Sequence, residues 1–479
     1  MKNLNLFLII ALLFLSCKTE KKEVIKTPEP QIKEIAAVSS DMMENAVIYE
    51  ANIRQYSKEG SFDAFTKDIP QLKQLGVKVI WLMPIFPISE TKRKATGDKF
   101  ASDIEDPEER KKYLGSYYAV SDFTKINPEF GTIEDFRELV KTAHANDIYV
   151  ILDWVPNHTG WDHTWLKTNP DFYTKNAKGE ITDPLNEDGI PVGWADVADL
   201  NYDNKELRKA MIKDMQYWLT KENVDGFRCD VAGSVPTDFW EEAIPQLRAT
   251  KDIFMLAEAW EPELLKGNLF DMAYGWDTHH RMNHIAKGEE TVANWDKRIQ
   301  QIDSLYENND ILMNFVTNHD ENSWNGTIEE RMGKGAAAFT ALSYIAPGMP
   351  LIYSGQEYDM KHRLKFFEKD EIPKAKGEMW PLLEKLGALK NTNTALHGGK
   401  NAASYTKLQT SKGDQVLAFK REKDGKQVYY IGNLSKEPVI TTIELAGNFT
   451  NHINGDTIIF REGQDVALQP WQYMVLVSE

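Results

Sequence analysis

The stretch Val224-Asp-Gly-Phe-Arg-Cys-Asp-Val-Ala232 decides how the chain is organised. It has the pattern of a short apolar strand that ends with Arg228 and Asp230. Side chains alternate faces along a strand, so these two point the same way, about 7 Å apart along the strand. A guanidinium beside Asp230 favours the ionised carboxylate, which is the form that a nucleophile needs. A purely structural ion pair is the alternative interpretation of this motif taken alone.

Length and charge narrow the class of protein. The chain has 479 residues, which predicts a large catalytic domain and at least one smaller domain. Its 73 acidic residues outnumber 56 basic ones, giving a net charge of −17, which argues against nucleic acid as a partner. The two cysteines, Cys17 and Cys229, cannot form a disulfide framework.

The N-terminus has the pattern of an export signal. Met1-Lys2 precedes an apolar run from Leu4 to Leu15 and then Ser16-Cys17. Residues 1–17 therefore read as a signal peptide, and Leu15-Ser16-Cys17 resembles a bacterial lipobox, in which Cys17 would be the lipid anchor. Cleavage without lipid is the alternative. Residues 18–44 predict a flexible tether. We expect a protein of the bacterial cell envelope, periplasmic or surface-facing, that touches the membrane only through this anchor.

From residue 46 onward, strands alternate with helices. Such alternation predicts a parallel sheet, and eight strands fit a (β/α)₈ TIM barrel over residues 45–394. Residues 158–200 lack helical periodicity and predict a small subdomain inserted after the third strand. The eight predicted strands cover residues 47–53, 77–83, 148–153, 224–230, 253–257, 269–274, 311–316 and 349–353.

The hydrophobic period changes to two near residue 395. Residues 415–419, 427–431 and 473–477 are predicted strands, and Asp424-Gly425 is a hairpin signal. Residues 395–479 therefore predict a C-terminal antiparallel β domain.

Ionisable residues follow several barrel strands, at the end where such barrels keep their active sites. Two facing carboxylates suit glycoside hydrolysis, one as nucleophile or base and the other as proton donor. Glu258 follows an apolar run, and an apolar setting raises a carboxyl pKa as a general acid requires. The strand ends concerned are Asp153 to His158, Arg228 to Asp230, Glu258 to Trp260 and Asn318 to Asp320.

These four stretches resemble, in order, the signature regions of the α-amylase family of glycoside hydrolases. Three further regions of that family are resembled by Asp199 to Asn201, by Gly115 to Ala119 together with Asn127 to Thr132, and by Pro350 to Glu357. The resemblance covers about residues 46 to 479 and implies the TIM barrel, retention of configuration and an α-glucan substrate. It implies that Asp230 is the nucleophile, Glu258 the general acid/base and Asp320 the third carboxylate, which binds the sugar hydroxyls.

The resemblance also implies supporting roles. Arg228 would orient and ionise Asp230, and Asp153 would buttress Arg228. His158 and His319 would hydrogen-bond the sugar, and Tyr117 would stack on it. Retention predicts a separation of about 5–5.5 Å between the carboxyl groups of Asp230 and Glu258.

The chain departs from the family pattern after Asp230. Many starch-cleaving members carry a Lys-His pair there, whereas this chain has Val231-Ala-Gly-Ser234. In many members that histidine also offers a backbone ligand to a structural calcium. Asn157 remains as a possible calcium ligand, and the chemistry itself needs no cofactor.

The leading hypothesis is a retaining hydrolase of α-1,4-glucosidic bonds in starch or malto-oligosaccharides. A transglycosylase, an isomerase or an α-1,6-glucosidase of the same family is the alternative, since these share the catalytic residues. A non-catalytic glycan-binding lipoprotein is a third hypothesis, which the presence of Asp230, Glu258 and Asp320 disfavours. The sequence leaves the oligomeric state open.

Overall fold

The structure, a computed structural model, describes residues 35–97, 99–186 and 188–478. The predicted signal peptide, Cys17 and most of the predicted tether lie outside these residues. No helix within the described ranges is long and apolar enough to cross a membrane.

Eight parallel strands close into a barrel, as predicted. Each strand pairs with its neighbours in chain order, and the first pairs with the eighth. The first, fourth, sixth and seventh strands are two or three residues shorter than predicted. The strands are Val47–Ala51, Val77–Leu82, Tyr149–Trp154, Gly226–Cys229, Phe254–Ala257, Met272–Tyr274, Ile311–Asn314 and Met349–Tyr353.

Helices follow the strands around the outside of the barrel. The longer α-helices are Ile133–Ala145, Lys205–Thr220, Thr237–Arg248, Trp276–Lys287, Val292–Leu305, Ala336–Ile345 and Met379–Thr392. Shorter helical segments are Ser40–Asn45, Ile53–Tyr56, Phe62–Thr66, Ile69–Leu72, Lys73–Leu75, Ala101–Asp103, Pro107–Arg110, Thr164–Thr168, Pro170–Phe172, Ala232–Ser234, Pro262–Asn268, Glu321–Asn325, Ile328–Met332, Gly333–Gly335, Gln356–Tyr358, Thr394–Leu396 and Gly399–Asn401.

The strands are buried on both faces, which explains their continuous apolar runs. Alternate side chains divide into two clusters. Ile48 and Val79 pack inside the barrel, whereas Val47 and Tyr49 pack against the surrounding helices. Gly226 opens the fourth strand with φ 145°, and a Cβ there would meet the carbonyl oxygen of Phe254 at 1.9 Å. Only glycine allows this close approach.

The insertion after the third strand contains an antiparallel ribbon, His158–Gly160 with Val197–Asp199. The ribbon borders the mouth of the barrel.

Part of the stretch predicted as a tether is packed against the barrel. Residues Ser40–Asn45 form a helix, capped by Ser39, and Val38 and Met42 are buried in the cluster inside the barrel. A single helical turn is too short to give a recognisable period, so tertiary contacts decide its structure.

The C-terminal domain is antiparallel, as predicted. Its hairpin turns at Asp424 and Gly425, both with positive φ, as the Asp-Gly signal requires. The main sheet contains, in order, Ser404–Lys407, Val416–Lys423, Lys426–Asn433, Tyr473–Ser478, Gly447–Asn451 and Thr457–Phe460. Val439–Thr442 and Asp465–Leu468 form a separate pair.

Candidate active site

A buried arginine lies at the centre of the barrel mouth. Arg228 is fully buried, and its Nη1 lies 2.8 Å from both Asp153 Oδ1 and Asp230 Oδ1. Its Nη2 lies 2.7 Å from Glu258 Oε2. The third, fourth and fifth strands are adjacent, and this adjacency brings residues from distant parts of the sequence onto one guanidinium.

Besides Arg228, the strained backbone of Val231 also holds Glu258 in place. The N–H of Val231 donates to Glu258 Oε2 at 2.8 Å. Val231 has φ 37° and ψ 46°, a left-handed conformation that is rare for a β-branched residue. Such strain is typical of functional sites, and here it aims a backbone donor at Glu258.

A hydrogen-bonded chain crosses the barrel interior from the first strand to the third. His319 Nδ1 contacts Glu50 Oε1, and its Nε2 lies 2.8 Å from the hydroxyl of Tyr118. Tyr118 in turn donates to Asp153 Oδ2 at 3.1 Å. His319 Nε2 also lies 3.3 Å from Asp320 Oδ2. This series of hydrogen bonds therefore links Glu50 to Asp153, the carboxylate that contacts Arg228.

Burial sets the pKa values of the carboxyl groups. Burial raises the pKa of Asp230 to about 6, although Arg228 opposes the rise. Burial likewise raises the pKa of Glu258 to about 7, and the charges of Asp230 and Asp320 add to that rise. Arg228 favours an ionised Asp230, as expected, but its effect is smaller than that of burial. At neutral pH, Asp230 is mainly ionised and Glu258 is about half protonated.

The two histidines of the site carry different charges. Burial alone would lower the pKa of His319, but the carboxylates of Asp320 and Glu50 outweigh it and raise the pKa to about 9. His158 lacks such partners, and burial lowers its pKa to about 3. His319 is thus a cation and His158 a neutral ring at neutral pH.

Two cavities meet at Glu258. A cavity of 380 Å³ is lined by all three carboxylates, Asp230, Glu258 and Asp320, together with His158 and His319. This cavity is polar at its floor and aromatic on one wall, where Tyr118, Trp324, Phe366 and Phe367 lie.

The second cavity, of 710 Å³, is lined by Glu258 but not by Asp230 or Asp320. Trp260 is 52% exposed there and stacks on Trp276, with ring centroids 5.5 Å apart. Trp194 and Val231 border both cavities.

Tyr117 does not fit the stacking role that the sequence suggested. It is buried, donates to Asn52 at 3.0 Å and lies under the guanidinium of Arg54. The next residue, Tyr118, lines the cavity instead. Both tyrosines lie in an irregular loop, where no alternation of faces shows which ring points inward.

Sequence reasoning missed Glu50, Tyr118 and Trp324. Glu50 lies within an apolar strand, and a buried carboxylate in such a run is itself an unusual feature that could have marked it. Trp324 follows Asp320 by four residues, but it lies in a short π-helix, Glu321–Asn325, that has no sequence signature.

Asn157 lies beside the second cavity with Asp199. Burial raises the pKa of Asp199 to about 6, and a bound cation would relieve that cost. No group of three or more His, Cys, Asp or Glu within the described ranges is arranged to hold a metal. Calcium takes six to eight oxygen ligands, so these two side chains do not complete a site. A calcium ion at Asn157 stays a prediction.

Two carboxyl groups at the ends of neighbouring parallel strands, one with a higher pKa than the other, are the arrangement expected of a TIM-barrel glycoside hydrolase. Comparison with known proteins narrows this class. The catalytic-domain model of the α-amylase family matches residues 37–186 and 190–385. The chain belongs to the α-amylase family and is an α-glucan-acting glycoside hydrolase.

Individual relatives have low sequence identity to this chain, but they align with most of its length. Alpha-amylase 3 of Dictyoglomus thermophilum is 24% identical, over 90% of this chain and 93% of its own length. Alpha-amylase MalA of Haloarcula japonica is 23% identical over 86% of this chain, which spans only 59% of that relative. A maltogenic α-amylase from Thermotoga neapolitana has a solved structure with a TM-score of 0.79, at 27% identity over 91% of this chain and 98% of that one.

Proposed function

We propose that the chain is a retaining hydrolase that cleaves α-1,4-glucosidic bonds in starch or malto-oligosaccharides by double displacement. The observation that carries this proposal is the contact of Asp230 and Glu258 with the same guanidinium. Carboxylates held this close favour the separation of about 5–5.5 Å that retention uses over the wider spacing that seats a water in inverting enzymes.

The first step makes a covalent intermediate. Asp230 attacks the anomeric carbon while Glu258 gives its proton to the glycosidic oxygen, so that the leaving sugar departs as an alcohol. The attacking carboxylate must be ionised and the donor protonated, and the raised pKa of Glu258 suits the donor.

The second step releases the sugar. Glu258, now ionised, takes a proton from water, and the resulting oxygen attacks the anomeric carbon. The bond to Asp230 breaks, both carboxyl groups return to their starting forms, and two inversions give net retention.

The two cavities then receive different parts of the glucan. The cavity that contains Asp230 holds the glycosyl part, because the nucleophile bonds to its anomeric carbon. The cavity reached only by Glu258 holds the leaving group, and Trp260 provides a sugar-stacking surface there. In this assignment Asp320, His158 and His319 contact the hydroxyls of the reacting sugar.

Transfer to a sugar acceptor is a second candidate. An exposed Trp260 stacked on Trp276 would favour a carbohydrate over water on the leaving-group side. A relative named 4-alpha-glucanotransferase supports keeping this candidate, and one named glucan 1,6-alpha-glucosidase supports keeping the alternative of α-1,6 cleavage.

Product analysis of the soluble chain from residue 18 onward tests the proposal. Soluble starch, maltoheptaose, pullulan and isomaltotriose are offered to the wild type and to Asp230→Asn. Short malto-oligosaccharides from starch, lost in the variant, are the expected result. Rearranged or longer products would favour the transferase, and cleavage of isomaltotriose alone would favour the α-1,6-glucosidase. No turnover of any substrate would favour a glycan-binding protein.

We further propose that Cys17 anchors the mature protein to the bacterial cell envelope by lipid. The apolar run before Ser16-Cys17 supports this localisation. Fractionation of cells that express the full chain or Cys17→Ala tests it. Release of the variant from the membrane fraction is expected, and a soluble wild-type protein would contradict the proposal.

A further inference from the structure

A tryptophan lies half exposed on one wall of the cavity that contains the three carboxylates. Trp324 is 51% exposed, and it tilts over Phe366 and Phe367 with ring centroids 5.2 and 5.9 Å away. Together these three side chains form what we call the aromatic platform. An exposed apolar surface that continues a binding cavity commonly marks contact with a ligand.

Ring contacts connect the platform to the reacting centre. Tyr118 lies nearly parallel to His319, with centroids 5.6 Å apart and 27° between the planes. Phe366 is nearly parallel to Tyr118, at 6.4 Å and 12°. The series from His319 through Tyr118 and Phe366 to Trp324 therefore runs outward from the carboxylates along one wall.

Hydrogen bonds hold the platform in place without using its ring faces. Leu114 N donates to Phe367 O at 2.7 Å, and Leu364 N donates to Asn322 Oδ1 at 2.8 Å. Arg363 pairs with Glu330 and contacts the carbonyl of Trp324. The platform is therefore preformed, and a ligand would not have to order it.

The location of the platform indicates which part of the substrate it contacts. It borders the cavity that contains Asp230 and Asp320, whereas Trp260 borders the leaving-group cavity. Its rings are uncharged and flat, which suits the apolar face of a pyranose and not an anionic ligand.

We propose that the aromatic platform binds the glucosyl units on the non-reducing side of the sugar that Asp230 attacks. This inference rests on the proposed function, which assigns the cavity of Asp230 to the glycosyl part. Chain-length preference then depends on Trp324, because only substrates with more than one glucosyl unit on that side reach it.

Trp324→Ala tests the platform with two substrates. Maltoheptaose reaches the platform, whereas p-nitrophenyl α-glucoside places only one glucosyl unit on the glycosyl side. We expect kcat/KM for maltoheptaose to fall roughly ten-fold, the effect of losing one good aromatic contact, and that for the glucoside to change less than about two-fold. Ile440→Ala, which removes a 63% exposed apolar side chain from the C-terminal domain, is the control and should change neither value.

A binding measurement separates this inference from the proposed function. Calorimetric titration of maltoheptaose into Asp230→Asn, with and without Trp324→Ala, should show a roughly ten-fold weaker affinity for the double variant. Equal losses of kcat/KM on both substrates in Trp324→Ala, or an unchanged affinity of the double variant for maltoheptaose, would contradict the proposed role of the platform. A chain that binds maltoheptaose without cleaving it would overturn the proposed function, and the titration would still decide the role of Trp324.

Discussion

Arg228 illustrates how one residue can set the chemistry of a site. It has no exposed surface and contacts three carboxylates, so the cluster as a whole keeps excess negative charge in a buried place. Arginine suits this position because it presents several donors in a rigid plane and stays charged when buried. Burial and the excess negative charge raise the pKa of Glu258 to about 7, so this carboxyl is partly protonated near neutral pH.

The pH dependence of kcat/KM should follow from the protonation states of Asp230 and Glu258. Activity requires an ionised Asp230, so it should fall as pH drops below about 6, and a protonated Glu258, so it should fall as pH rises above about 7. A bell with a maximum between these values is expected when kcat/KM for maltoheptaose is measured across the range. For Glu258→Gln with an α-glucosyl fluoride, whose leaving group needs no proton, the alkaline limb should be absent. An unshifted alkaline limb in that variant would assign it to another group.

Glu50 is the other residue whose position has chemical consequences. Its carboxylate contacts His319 Nδ1, which leaves the Nε2 proton pointing toward Tyr118 and the cavity. His319 is also within reach of the charges of Asp320 and Arg228. Glu50 is thus a positioning residue, which acts through His319 and does not line the cavity itself.

Glu50→Gln should therefore change pH behaviour as well as rate. Without the carboxylate, the pKa of His319 should fall toward its ordinary value of about 6.5. We expect kcat/KM to fall roughly ten-fold at neutral pH and a new loss of affinity as pH rises through about 7. Glu357→Gln is the matched control, since Glu357 is equally buried but bonds to Tyr49 outside the cavity. A uniform loss with an unchanged pH profile would reduce Glu50 to a structural residue.

Residue-level prediction from the sequence worked where a regular element fixed the direction of a side chain. Asp153, Arg228 and Glu258 sit at strand ends, and the structure brings them together. Direction could not be inferred for Tyr117 and Tyr118, because the loop that carries them has no period. The carboxylate of Glu50 stands out in its apolar strand, but its pairing with His319 could not be inferred, because the two residues are 269 positions apart in the sequence.

At the scale of elements, the segment Glu321–Asn325 links the active site to the platform. It follows Asp320 directly and contains Trp324. Glu321 holds this segment in place through two ion pairs. Its Oε2 lies 3.2 Å from His279 Nε2 and 3.6 Å from Arg331 Nη1. Burial would raise the pKa of Glu321, but these partners outweigh it and lower the pKa to about 2.

These ion pairs of Glu321 should contribute to stability in a pH-dependent way. A carboxyl whose pKa falls from 4.5 to about 2 on folding stabilises the native state by about 3 kcal/mol above its unfolded pKa, and that contribution is lost as pH falls toward 2. Glu321→Gln should therefore unfold several degrees lower than the wild type at neutral pH, with the difference shrinking on acidification. Thermal unfolding followed by circular dichroism at several pH values checks this. A difference independent of pH would show that charge is not the cause.

At the scale of the whole molecule, the barrel and the C-terminal domain share one hydrophobic core. Phe419, Tyr430 and Val475 of the sheet belong to the cluster that surrounds the barrel strands. The Tyr430 hydroxyl donates to the carbonyl of Ala338 on a barrel helix at 2.9 Å. Arg421 is fully buried and donates to the carbonyl of Ile345 at 3.0 Å. The C-terminal domain therefore covers apolar surface on the outside of the barrel.

Cooperative unfolding of the two domains should follow from that shared core. Arg421→Ala would remove the donor to the carbonyls of Ile345, His397, Ala403 and Ser404, and those of Ile345 and Ala403 belong to buried residues. We expect a loss of about 3 kcal/mol or more, visible as a lower unfolding temperature, while kcat and KM at room temperature stay unchanged. Calorimetry should show one transition for both proteins. Two separated transitions would mean that the domains unfold independently.

The overall architecture was easier to predict from the sequence than the individual residues or elements. Eight apolar runs alternating with helices, followed by a change of period to two, defined the barrel and the β domain. What could not be predicted was structure imposed by contacts between distant segments. The turn of helix at Ser40–Asn45 and the π-helix at Glu321–Asn325 exist because their side chains pack elsewhere in the molecule.

The central claim, that Asp230 attacks the sugar while Glu258 transfers protons, is tested most directly by trapping the intermediate. Glu258→Gln is incubated with an α-maltosyl fluoride, which can glycosylate the enzyme without acid help but cannot be released quickly without the base. Mass spectrometry of the digested protein should find one added maltosyl group, located on the peptide that contains Asp230. Attachment to another residue, or turnover of the fluoride with inversion and no adduct, would contradict the claim.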